Sequence, residues 1–223
     1  MFAGHIGAAL VIGRSEMSVN VGVFALAALL LDVLLWLFVL LGWESVVIPT
    51  NFASTHQAQF VFPYSHGLLA SVVWSLLTCA AVFVWHPGLP EARLRAAMFV
   101  AAAVFSHWLL DALVHVPELP LISVGSTKVG LGLWQRMPVA LAVESAIVAV
   151  GLYLYVCRAG LSRSKKLWLS VLCTVILVFT LFGMTAAPAP PSATAMAVSS
   201  LVTIALVCAL IFWLGSSTSE TRQ

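Results

Sequence analysis

The chain has 223 residues, 62% of them hydrophobic and only 8% charged, with a mean hydropathy of +1.08. A soluble domain would carry about a quarter charged residues, so this composition excludes an ordinary soluble fold and predicts an all-α, polytopic membrane helical bundle. Lys and Arg number 10 against 8 Asp and Glu, a net charge of +2; with no basic cluster beside interleaved aromatics, nucleic acid is excluded as a partner.

Residues 2–13 are apolar and small apart from His5. At 1.5 Å per residue they reach only about 18 Å, short of the roughly 30 Å hydrocarbon core, and read as a half-spanning or re-entrant helix. Arg14 follows this run instead of preceding it, so no cleaved signal peptide is expected. The first full span is expected from about Val19 to Trp43, with Asp32 near its middle. Residues 44–64 hold Pro49, Asn51, His56 and Pro63 and no Lys or Arg, which reads as a loop with room for a short interfacial helix.

The second span is expected from Tyr64 to Trp85, with Ser65 placed to cap it and His66 at its mouth. His86-Pro87-Gly88 breaks the chain. Arg93 and Arg95 then precede an apolar run from Ala96 to Val116, the third span. The loop from Glu118 to Arg136 places Gly125, Gly130 and Gly132 around Leu131 and Trp134, which favours a folded-in segment over a solvated linker.

Three further apolar spans occupy residues 137–214: Pro138 to Cys157, carrying Glu144, then Leu167 to Ala186, then Ala195 to Leu214. The polar stretch 215–223 is expected to be a flexible tail. Six transmembrane helices and the N-terminal half-helix thus form a single integral membrane domain over residues 1–223. Cys79, Cys157, Cys173 and Cys208 stand singly in apolar stretches and read as small core residues.

Basic residues set the orientation, because cytoplasmic loops retain Lys and Arg. One side holds Arg14, Arg93, Arg95, Arg158, Arg163, Lys165, Lys166 and Arg222, and the other only Lys128 and Arg136. The C-terminus is therefore expected in the cytoplasm. With that orientation His5, His66, His107, Asp111, His115 and Glu144 fall in the outer half of the membrane and Asp32 near its middle, as though lining a cavity that opens outward.

Phe105 to His115 is the densest part of this set. At 100° per residue, His107, Asp111 and His115 lie within about 80° on one helical face. An ionisable group buried in hydrocarbon costs roughly 2.5–3.5 kcal/mol on insertion scales and needs a partner. Two carboxylates and three histidines with no Lys or Arg at their level lack protein counter-charge, a deficit that a metal ion fills. Imidazole and carboxylate ligands suit zinc, and also manganese or iron. The expected ligands are His5, Asp32, His66, His107 and Asp111. Asp32 and Asp111 are the candidate catalytic carboxylates, and His115 and Glu144 are candidates for supporting the ligands from behind. His56 and His86 read as loop residues.

Gly4-His5, Leu30-Leu31-Asp32, Tyr64-Ser65-His66-Gly67-Leu68 and Ser106-His107-Trp108-Leu109-Leu110-Asp111 occur in that order. Together they resemble the YdjM-type (LexA-binding) inner-membrane, metal-dependent hydrolase family, which is grouped by motif order with zinc-dependent phospholipase C and nuclease folds. The resemblance covers about residues 1–120. It implies a metal-dependent hydrolase of the inner membrane that acts on a phosphoester or lipid-linked compound. The family commonly has Asp-x-Asp-His where this chain has Asp32-Val33-Leu34-Leu35, and His-Arg where it has Phe62-Pro63. Those departures would remove a metal ligand or a phosphate-binding arginine and are compatible with one ion in place of two or three.

The expected partners are membrane lipid and an amphiphilic small-molecule substrate approaching from the outer side. Two other readings use the same residues: a proton-coupled transporter, in which they form a protonation relay, and a non-enzymatic membrane scaffold with a degenerate metal site.

Overall fold

A computed structural model describes residues 1–216; most of the expected tail lies outside them. The chain is an all-helical bundle. Five helices are long and apolar enough to cross a membrane: α5 (Leu68–Trp85), α6 (Pro90–Val114), α7 (Met137–Arg158, prolonged at its start by a 3-10 turn Leu133–Arg136), α8 (Arg163–Thr185) and α9 (Ala193–Gly215). Two shorter helices, α2 (Val21–Ala28) and α3 (Leu30–Leu41), bent by 48° where they meet, are together long and apolar enough for a sixth crossing. These lengths suit the hydrocarbon core, and side chains such as Leu76, Val175, Phe179 and Trp213 are exposed on the bundle surface, as contact with lipid requires. The architecture is that of a multi-pass membrane protein.

Helix boundaries follow local chemistry. Asn20, Ser162 and Ser192 each accept from a backbone N–H in the first turn of α2, α8 and α9, satisfying donors that a helix start leaves orphaned. Pro90 opens α6, where its missing N–H costs nothing. Arg93 and Arg95 consequently belong to α6 and do not precede it. Arg95 Nε pairs with Glu16 Oε2 at 2.8 Å, and its guanidinium donates to the Ser15 carbonyl at 2.9 Å, tying the α1–α2 turn to the foot of α6.

The half-helix α1 (Phe2–Gly13) lies inside the bundle, packed on α7, α2 and α6. Its backbone touches α7 through glycines. A Cβ on Gly151 would meet the Gly7 carbonyl oxygen at 2.3 Å, and one on Gly7 would meet the Ile147 carbonyl oxygen at 2.7 Å. Small residues permit this close approach in a membrane, where dispersion contacts stand in for hydrophobic driving force.

Two segments fold over the end of the bundle that carries the polar residues. The first is a strand pair, β1 (Ser45–Val47) with β2 (Gln59–Val61), antiparallel with Val46 opposite Phe60, enclosing the short helix α4 (Phe52–Thr55). The second is the pair β3 (Leu119–Pro120) and β4 (Lys128–Val129). It leads to Leu131 and Gly132, whose N–H groups donate to the Ala112 and His115 carbonyls at 2.8 and 2.7 Å. The expected folded-in segment is there, and the strand pairs were not foreseen.

Other sequence expectations need correction. The first span is not one straight helix from Val19 to Trp43, because it breaks at Leu29. The cysteines are free, but only Cys173 and Cys208 are buried; Cys157 is exposed near the end of α7. Ser65 does not cap α5, whose N-cap is Gly67. Its hydroxyl is engaged elsewhere.

Candidate metal centre

The polar side chains of the centre arrive on four supports. His5 comes from the first turn and a half of α1, Asp32 from the first turn of α3, His66 from the turn before α5, and His107 and Asp111 from one face of α6. His115 closes α6 as its C-terminal cap. His5, His66, His107 and Asp111 are almost wholly buried, while the Asp32 side chain keeps 22% of its surface.

The break at Leu29 serves the centre directly. The Ala28 carbonyl, the last of α2, accepts a hydrogen bond from His107 Nδ1 at 2.6 Å. A carbonyl can only accept, so His107 carries a proton on Nδ1 and, as a neutral ring, presents the Nε2 lone pair. His66 is held the same way. Ser65 Oγ donates to Glu44 Oε2 at 2.7 Å and is 2.8 Å from His66 Nδ1. With its own proton given to Glu44, that hydroxyl accepts from Nδ1–H and leaves His66 Nε2 with a lone pair.

The two lone pairs face each other. His66 Nε2 and His107 Nε2 are 3.1 Å apart. Asp111 Oδ2 is 3.4 Å from the first and 3.1 Å from the second. Asp32 Oδ1 stands 3.7 and 3.8 Å from the same two nitrogens. Three acceptors in so small a triangle repel unless a proton or a cation lies among them. His5 stacks on His107 with ring centroids 3.7 Å apart. Neither of its ring nitrogens makes a hydrogen bond, although Nε2 lies 3.2 Å from Asp111 Oδ1. Buried polar atoms are normally partnered, so the unpartnered ring nitrogens of His5 suit an imidazole able to bind a metal ion. Asp111 Oδ1 also receives the Met1 amino group at 3.4 Å.

Two groups have ligand atoms close enough to share an ion, His66–His107–Asp111 and His5–Asp32–His107, each with all atoms within 4.8 Å of one another. Between them they contain all five expected ligands, with His107 common to both. His56 and His86 enter neither.

The two expected supporting residues differ. His115 places Nε2 3.7 Å from Asp111 Oδ2, gives Nδ1 to Glu118, and packs against Trp134 at 4.2 Å between centroids, the two rings tilted by 52°. Glu144 is buried, does not reach outward, and accepts from the Gly4 N–H at 2.9 Å. It acts on the start of α1, one residue before His5, and makes no hydrogen bond or ion pair with a candidate ligand.

Glu44 was not anticipated. It is 4% exposed and accepts from the N–H groups of Tyr64 and Ser65, at 2.7 and 2.8 Å, as well as from the Ser65 hydroxyl. Burial raises its carboxyl above the ordinary glutamate value, and the bonds from Ser65 and Tyr64 oppose that rise. The only hint in the sequence is an acid just after an apolar span, in a stretch with no basic residue to pair with it.

A cavity of about 80 Å³ opens on the cluster, floored by Asp32, His66, Asp111 and His115 and walled by Trp36, Phe60, Phe62 and Trp134. A larger, more apolar groove of about 830 Å³ lies between Phe38, Trp43, Tyr64 and Trp74. The arrangement is a buried His/Asp cluster able to hold a metal ion inside a membrane bundle. No family model, no curated protein and no solved structure matches the chain.

Proposed function

We propose that the chain is a membrane-embedded, metal-dependent hydrolase of the YdjM type, with zinc held by His5, Asp32, His66, His107 and Asp111. One observation carries this reading: the triangle of His66 Nε2, His107 Nε2 and Asp111 Oδ2, with edges of 3.1, 3.1 and 3.4 Å. Ligands about 2.0–2.1 Å from a tetrahedral ion stand about 3.3–3.4 Å apart. Imidazole nitrogens with a carboxylate favour zinc over harder ions, and manganese or iron are the next candidates.

An ion there would supply Lewis acidity, polarising a phosphoryl or acyl oxygen and acidifying a water. The protein's own residues do the rest. Asp32, less buried than Asp111, lines the cavity and would orient or hold the ion, while a carboxylate not engaged in ligation would accept the proton of the attacking water. Asp111 is enclosed by His5, His66, His107 and His115 and sets the spacing of the ligands. The cavity is too small for a whole amphiphile, so only the reacting ester enters it and the apolar remainder stays outside. That favours a phosphoester or other lipid-linked substrate presented from the outer side of a cytoplasmic (inner) membrane, with the C-terminus inside.

Elemental analysis of the purified protein tests the reading. Near-stoichiometric transition metal is expected, falling sharply in His107→Ala and Asp111→Ala; unchanged metal in both variants overturns it. Proteoliposome transport that survives chelation would support the proton-coupled permease instead.

A further inference from the structure

Glu44 and Ser65 lie outside the ligand set, yet they form a buried chain that ends on one of its members. Glu44 Oε1 takes the backbone N–H groups of Tyr64 and Ser65, and Oε2 takes the Ser65 hydroxyl. All three partners donate. The carboxylate therefore fixes where the Ser65 proton points, and the Ser65 oxygen, 2.8 Å from His66 Nδ1, is left as an acceptor.

We infer that Glu44 is a positioning residue for the metal centre: through the Ser65 hydroxyl it holds His66 in the Nδ1–H tautomer and keeps the Nε2 lone pair on the ion. The inference rests on the metal-centre reading above and adds to it a residue that no ligand pattern contains. Ligating histidines commonly give their second nitrogen to such a partner, which fixes tautomer and ring direction and raises basicity. For His107 the partner is the Ala28 carbonyl, which cannot reverse its polarity. For His66 it is a hydroxyl, which can. A serine alone would serve either tautomer, and only an acceptor behind it makes the choice.

Glu44→Gln reverses that choice. Its amide oxygen would stay on the two backbone N–H groups, so its NH2 would take the place of Oε2 and donate to Ser65 Oγ. The hydroxyl then donates to His66 Nδ1, and the ring proton moves to Nε2, where the ion must bind. Ser65→Ala breaks the chain while leaving both N–H contacts to Glu44 intact. A Thr at 65 keeps the hydroxyl.

The test uses the full-length protein in detergent, with two readouts. Calorimetric titration with Zn²⁺ alone should give affinities weakened about 10- to 100-fold in Ser65→Ala and in Glu44→Gln, the range typical of lost outer partners. The double variant should be no weaker than the worse single, and Ser65→Thr should stay within a few-fold of the parent. Imidazole ¹⁵N NMR of the metal-free protein should find the His66 proton on Nδ1 in the parent and on Nε2 in Glu44→Gln. If the parent carries it on Nε2, or if folded Ser65→Ala and Glu44→Gln bind Zn²⁺ like the parent, the inference is overturned and Glu44 only pins the 64–65 turn. If the parent binds no Zn²⁺, the metal-centre reading fails, and the tautomer measurement still decides the relay.

Discussion

Gly7 of α1 and Gly151 of α7 meet backbone to backbone, so closely that a methyl group on Gly151 would sit 2.3 Å from the Gly7 carbonyl oxygen. His5 lies two residues before that contact. The depth at which its imidazole reaches the centre is thus set by the absence of a side chain on a helix that supplies no ligand. Gly151→Ala should push α1 away from α7, destabilising the protein by about 1–3 kcal/mol, the usual cost of overpacking, and should weaken metal binding as His5 withdraws. Thermal unfolding in detergent and metal titration would check the two effects separately. Parent-like stability would mean that the helices do not meet here.

Asp111→Asn distinguishes a ligand from a hydrogen-bonding partner. His107 and Asp111 are one turn apart on α6, with Nε2 and Oδ2 separated by 3.1 Å. If their role were mutual hydrogen bonding, an amide of the same shape would preserve it and assembly would be unchanged. As a ligand, Asn brings no charge to neutralise the ion, so metal affinity should fall by more than the roughly 10- to 100-fold seen when outer partners are lost. Retained metal at parent affinity would remove Asp111 from the ligand set.

Glu144 should behave differently from the ligands. Its carboxylate lies at the N-terminal turn of α1, where the helix dipole favours negative charge, and accepts from Gly4 N–H. Glu144→Gln keeps an acceptor and should retain metal at parent stoichiometry. Glu144→Ala leaves a buried N–H without a partner, which costs about 1–3 kcal/mol. Unfolding of the two variants, followed alongside metal content, separates support of α1 from direct ligation.

The segment over the cavity depends on Gly130. Its φ of +154° is open to glycine and strained for other residues, and a Cβ there would sit 2.3 Å from the Val116 carbonyl oxygen. Gly130→Ala should loosen the Leu131 and Gly132 contacts to α6 and with them Trp134, which packs against His115. Faster amide exchange at residues 128–136, with α8 and α9 unaffected, is the expected signature.

Which of these features could be read from the chain depends on how local their cause is. Span number and approximate limits follow from runs of apolar residues, and the His107–Asp111 pairing follows from helical spacing alone. That His5, Asp32 and His66 join them followed from charge balance at one depth. The break at Leu29 was hidden because Ala27-Ala28-Leu29-Leu30 has neither Pro nor Gly; the Ala28 carbonyl is engaged by a histidine 79 residues away. Glu44 was hidden for the same reason, since its partners are 20 and 21 residues distant. The strands β1–β4 are two or three residues long, too short to register as an alternating pattern. Arg93 and Arg95 precede the apolar run yet lie within α6, because the helix starts at Pro90, a turn ahead of the apolar residues.

Orientation offers the last prediction, because it decides from which compartment a substrate reaches the cavity. The basic loop between α7 and α8 and the β3–β4 hairpin lie at opposite ends of α7, and each contains a glycine with open space where a side chain would go, Gly160 and Gly125. In a variant whose four native cysteines are replaced by serine or alanine, Gly125→Cys and Gly160→Cys should leave packing undisturbed. If cytoplasmic loops keep the basic residues, a membrane-impermeant maleimide added to intact cells should label Gly125→Cys nearly completely. Gly160→Cys should react only after the membrane is opened. The reverse pattern would place the cavity mouth, which adjoins Trp134 and Phe62, on the cytoplasmic side, and the substrate would then have to come from within the cell.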